Sequence, residues 1–87
     1  MLKPGETVTW TSQAHGSVKT KTGTVVAYVG PAQDAYRFIP PGLGRGRVHF
    51  QQYSQVPRYV VAVPRRSGLL DYYAPPARLL ERLAPEG

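Results

Sequence analysis

Six arginines stand between Asp34 and Asp71 with no acidic residue among them: Arg37, Arg45, Arg47, Arg58, Arg65 and Arg66. A guanidinium is planar and permanently charged, and its fork of N–H donors matches phosphate and carboxylate oxygens. Lys19 and Lys21 add two ammonium groups at a spacing that puts both on one side of an extended segment. Tyr36, Phe38, Phe50, Tyr53 and Tyr72 are interleaved with these cations. Cations beside aromatic rings can hold a phosphate while a neighbouring base stacks on a ring. The competing use of the rings is as core and cross-strand partners, expected for about half of them. The net charge of +6 agrees with either a polyanion-binding face or a plain basic surface.

Other chemistries find little support. His15 and His49 are the only histidines, and none of Glu6, Asp34, Asp71, Glu81 and Glu86 stands at an interpretable spacing from them. No nucleophile–base pair is legible, so an enzyme is not expected. Cysteine is absent, which removes disulfides, a thiol nucleophile and thiolate metal sites. His15, in a polar loop beside Gly16, reads as a solvated side chain, and no metal or cofactor is expected. Gly42-Leu43-Gly44-Arg45-Gly46-Arg47 lacks the Lys-Ser/Thr ending of a phosphate-binding nucleotide loop.

The elements that must position these residues read as β. Residues 21–29 carry the strongest strand signal: a turn glycine, Gly23, then Thr24, Val25, Val26, Tyr28 and Val29. Residues 7–11 alternate, with Val8 and Trp10 on one face and threonines on the other. Trp10, the lone tryptophan, is expected in the core. Residues 12–22 read as a polar loop or loose hairpin tip. Residues 59–63 and 69–73 form the clearest hairpin, joined by Arg65-Arg66-Ser67-Gly68. Between the second and third strands, residues 30–57 form a long irregular insertion, of a kind that is often functional. Within it, residues 32–38 suit one helical turn, and residues 47–53 suit a short extra strand. Pro75-Pro76 opens a short helix over 77–83, with Leu79, Leu80 and Leu83 on its apolar face. Residues 84–87 read as a frayed tail.

One domain over 1–87 is expected, mainly β, with four to five antiparallel strands, the inserted loop and a C-terminal helical turn at about 76–83. No apolar run approaches the roughly 20 residues of a membrane span. No signal region follows Met1, and the absence of cysteine suits a reducing compartment. The expected location is cytoplasmic, without membrane contact.

The run Gly5-Glu6-Thr7-Val8-Thr9-Trp10 followed by Lys21-Thr22-Gly23-Thr24-Val25-Val26 resembles the first two strands of small bacterial SH3-like barrels of Tudor-like and KOW-like type. In those, a glycine–acid–x–valine–x–tryptophan entry precedes a glycine–x–valine–valine strand. Residues 59–63 and 75–83 are similar to the later strands and closing turn, so the likeness covers about half the chain. The resemblance implies a small SH3-like barrel and a binding module. KOW-like barrels contact RNA or ribosomal and transcription proteins, and Tudor-like barrels contact peptides or nucleic acid. The insertion departs from that pattern, and no aromatic cage is matched.

The expected function is a small basic binding module contacting nucleic acid, DNA or RNA, through its phosphate backbone. Lys19, Lys21, Arg37, Arg45, Arg47, Arg58, Arg65 and Arg66 would supply charge, and Tyr36, Phe50 and Tyr53 would supply stacking faces. The alternative is a protein-interaction module or inhibitor, of the kind a phage or mobile element encodes. It would dock on an acidic surface of a larger nucleic-acid-processing complex. Unpaired sheet edges also leave room for a homo-oligomer.

Overall fold

The computed structural model describes residues 1–14 and 16–83; the backbone alone is described at Gln13, Ala14 and Arg45. His15 and the tail 84–87 therefore lie outside the described residues. Five strands form one antiparallel sheet in the order β4-β3-β2-β1-β5. They are β1 Thr7–Ala14, β2 Ser17–Val29, β3 Arg58–Pro64, β4 Leu70–Tyr73 and β5 Glu81–Arg82.

The first hairpin is longer than its polar sequence suggests. Pairing runs from Thr7↔Thr24 to Ala14↔Ser17, so residues 12–22, read as a loop or loose hairpin tip, are the end of a hairpin and mostly strand. Threonine suits extended backbone without needing a core behind it. The ladder is supported by Thr9 Oγ1, which donates to the Lys21 carbonyl at 2.8 Å.

β2 serves two partners. Its first half pairs with β1, and from Thr24 onward it pairs with β3, with a bulge between Val25 and Ala27. Gly23 sits where the partners change. It is a buried strand residue and not a turn residue. A Cβ there would collide with the Ala62 carbonyl oxygen and stand 2.8 Å from Val61 Cγ1. Glycine is required because another backbone passes against it.

β3 is buried on both faces, which explains its unbroken apolar run. Tyr59 and Val61 pack with Val8, Trp10 and Val25; Leu2, Ala77 and Leu80 close that side. Val60 and Ala62 pack with Val29, Ala35 and Tyr72 on the other. There Phe38, Ile39, Leu43 and Phe50 form the cover. All four come from the insertion, which is thus a second layer over the sheet.

Backbone bonds fix that layer. Ala32 N–H donates to Ser54 O at 2.7 Å, and Ala35 N–H donates to Gln52 O at 2.9 Å. A 3-10 turn at Ala35–Phe38 falls inside the expected helical segment and is capped by Asp34 Oδ1, which accepts from Tyr36 N–H at 2.9 Å. The extra strand expected over 47–53 is absent among the described residues. A 3-10 turn occupies Arg45–Arg47, and only Val48 bridges, to Tyr72.

The helix expected over 77–83 is replaced by a 3-10 turn, Ala77–Leu79, and then β5. Leu80 is extended (ψ 136°) and packs on the first cluster, while Leu79 and Leu83 stay exposed. The three leucines therefore share no helical face. Leu83 N–H donates to Thr7 O at 3.0 Å, and Arg82 Nε lies 3.2 Å from Glu6, so sheet pairing outcompetes a helix too short to hold itself. No helix among the described residues is long and apolar enough to cross a membrane.

Candidate functional site

The hairpin register places two lysines beside the tryptophan. Trp10 pairs with Lys21 and Ser12 with Lys19, so these four side chains leave the same face of the β1–β2 ribbon. That face forms one wall of a groove of about 700 Å³. The opposite wall is His49, Tyr73, Pro75, Pro76 and Leu79.

Tyr73 is the centre of the groove. Lys21 Nζ lies 4.7 Å from its ring centroid and 3.5 Å from its hydroxyl. The His49 ring stacks on it at 4.6 Å and 11°, and Trp10 meets it edge-on at 5.9 Å. Three polarisable rings and a cation are thereby held in one contact set.

Asp71 stands behind His49, with its carboxylate 3.6 Å from Nε2 and 2.8 Å from Arg65 Nε. The Arg65 hydrogen bond holds the Asp71 carboxyl below the usual carboxylate range, against some desolvation, with Arg65, His49 and Arg47 adding attraction. In return Asp71 raises the Arg65 guanidinium. Arg65 also donates to Gly46 O at 2.9 Å. Asp71 therefore remains an anion beside the imidazole, and its own charge is answered by Arg65.

A second groove, of about 760 Å³, adjoins the first. Its lining includes Tyr36, Arg37, Ile39, Pro40, Leu43 and Val48. Val48 lines this groove and its neighbour His49 lines the first, so these two residues stand between them. Tyr36 is set by Phe50: their rings meet edge-on at 5.5 Å, and the Tyr36 hydroxyl donates to Phe50 O at 3.0 Å. A smaller depression beyond Trp10 is lined partly by Thr20, Leu79 and Glu81.

The residues expected to bind divide unequally. Lys19 and Lys21 line the first groove, and Tyr36 and Arg37 line the second. Phe50 supports Tyr36 and the second core cluster. Arg47 gives Nε and Nη2 to Leu70 O at 3.0 and 2.9 Å, and Arg65 is held by Asp71. Arg66 and Tyr53 are exposed but line neither groove. The Arg45 side chain lies outside the described residues.

Arg58 is corrected from a surface contact to an interior one. It is only 4% exposed, and its guanidinium donates to Gln51 O at 2.7 Å and Gln52 O at 3.3 Å. Burial lowers its pKa from the ordinary arginine value.

Sequence reasoning missed His49 and Tyr73 as groove residues; Trp10 lies in the core as expected, 5% exposed, and also borders the groove. The signal available for Trp10 was its cross-strand register with Lys21; nothing in the spacing of His49 and Tyr73 announces their stack. Among the described residues no cluster of three or more His, Cys, Asp or Glu could hold a metal ion. Comparison with known proteins finds no matching family model, no similar curated protein and no similar solved structure.

Proposed function

We propose that the protein is a small basic binding module whose ligand is nucleic acid, held by its phosphate backbone along the groove of Lys19, Lys21 and Tyr73. One observation carries this reading. The two adjoining grooves are lined by Lys19, Lys21 and Arg37 and by the rings of Trp10, Tyr36, His49 and Tyr73, with no carboxylate in either lining among the described residues. A polyanion meets cations and aromatic side chains there, and the nearby Asp71 charge is answered by Arg65. The role proposed is that of a binder and not an enzyme. The cysteine-free composition suits a cytoplasmic setting.

The fold that accompanies this function is a small SH3-like barrel of Tudor-like or KOW-like kind. Three features support it: β5 returns to β1 after a 3-10 turn, β2 is divided between two partners, and Arg58 bridges to Pro76. The second reading is docking on an acidic protein surface. The apolar lining of Ile39, Pro40, Pro41 and Leu43 favours it.

Fluorescence anisotropy with labelled single- and double-stranded DNA and RNA at two salt concentrations tests the function. Affinity should fall steeply with salt. In the Lys19→Ala/Lys21→Ala variant the log–log slope should shrink by about 1.4 on single strands or about 1.8 on duplex DNA. Absence of binding at low salt would overturn the reading. A defined protein complex that survives nuclease would transfer the site to the second one.

A further inference from the structure

We infer that the ligand is a single strand laid across both grooves, with an unpaired base against His49 and the chain carried past Val48 toward Arg37. This rests on the nucleic-acid reading above and adds the form of the ligand.

Duplex DNA is read by elements that protrude into its grooves, an α-helix or a two-stranded ribbon. Here the cations and rings line concavities. Lys19 and Lys21 belong to the β1–β2 ribbon, but both line the groove, and Lys21 is tied to Tyr73. Paired bases in a duplex cannot enter such a concavity; splayed bases of a single strand can. The open grooves, of about 700 and 760 Å³, have room for a nucleotide each, and Val48 and His49 line one each as chain neighbours. Lys19 and Lys21 stand about 7 Å apart along β2, the order of one nucleotide step in an extended strand.

The His49 side chain is 36% exposed while its ring stacks on Tyr73 at 4.6 Å. It is therefore braced on one face and partly exposed, and we place the base on its other face. The nearest acid, Asp71, is answered by Arg65 at 2.8 Å, so a phosphate near His49 meets little repulsion.

The test compares oligothymidylates of increasing length with a blunt duplex DNA, on the wild type and on His49→Ala, His49→Phe and Arg37→Ala. The single strand should bind about tenfold or more tightly than the duplex. His49→Ala should weaken single-strand binding about tenfold without changing the salt slope, and His49→Phe should restore it. Arg37→Ala should weaken long oligomers and leave the shortest ones unchanged. Equal affinity for both forms, or an indifferent His49→Ala, would overturn the inference and leave the backbone-binding function standing. Polyglutamate bound as tightly as oligothymidylate would also overturn it, because the grooves would then read charge alone. No binding to any nucleic acid would remove the parent reading as well.

Discussion

Gly23 is the position where one added methyl group should cost most. Its hypothetical Cβ meets the Ala62 carbonyl and two valine methyl groups, and the backbone member of that trio cannot rotate away. Gly23→Ala should destabilise by about 2–3 kcal/mol, a fall in Tm of about 10–20 °C for a chain of this size. Gly44→Ala, with nothing within 4 Å of its Cβ, is the matched control and should melt close to the wild type. Asp71 supplies a pH dependence of fixed sign. Its pKa is depressed on folding, so its stabilising effect is complete above the unfolded value, near 3.8, and is lost as pH falls from there through the folded value. Glu6 acts in the same direction, through the Lys3 N–H first and then Arg82. Melts from neutral pH to about pH 3 should show Tm falling less in Asp71→Asn than in the wild type, and least in the Glu6→Gln/Asp71→Asn variant. Parallel curves in all three proteins would remove both carboxylates from the acid response.

The insertion 30–57 behaves as a structural layer that also carries a groove wall. Arg58 is its rivet, joining the start of β3 to the carbonyls of Gln51 and Gln52. Arg58→Ala strands two carbonyls and opens a space, so a loss of about 2–3 kcal/mol is expected. Limited proteolysis should then cut first within 30–57, since its backbone bonds to the sheet would open before global unfolding. Cleavage elsewhere, or none, would deny Arg58 that role. The elements were unevenly legible. β3 and its hairpin with β4 stood out because an apolar run between turn residues has few other fates. The covering role of the insertion did not, because Phe38, Ile39, Leu43 and Phe50 follow no strand or helix period. Residues 79–83 imitated an amphipathic helix, and only the free edge of β1, a tertiary feature, converts them to a turn and a strand. Arg58 looked like a surface cation because its burial depends on loop carbonyls drawn in from the insertion.

Taken as one body, the chain carries +6 on a small surface. Self-repulsion then works against compactness, and added salt relieves it. Raising salt from low to moderate levels should therefore raise Tm while weakening the proposed nucleic-acid binding. Two effects of opposite sign in one titration separate charge repulsion within the fold from charge attraction to the ligand. A Tm that falls with salt would show that the ion pairs at Glu6 and Asp71 outweigh the repulsion. Of the candidate site, the shared side of Lys19 and Lys21 was readable from a two-residue period. The stack of His49 on Tyr73 was not, because it joins the insertion to β4 across a long stretch of sequence.

Arg47 and His49 also guard the outermost strand. Arg47 takes the Leu70 carbonyl, and the His49 N–H takes that of Tyr72. Those are the acceptors an incoming strand would need to extend the sheet past β4. Protection of that edge is thus lodged beside, and at His49 within, the pair of residues that stands between the grooves. If the proposed ligand is read at His49, binding and solubility are coupled: a change there that retunes the ligand also tests whether the protein stays apart from its own copies.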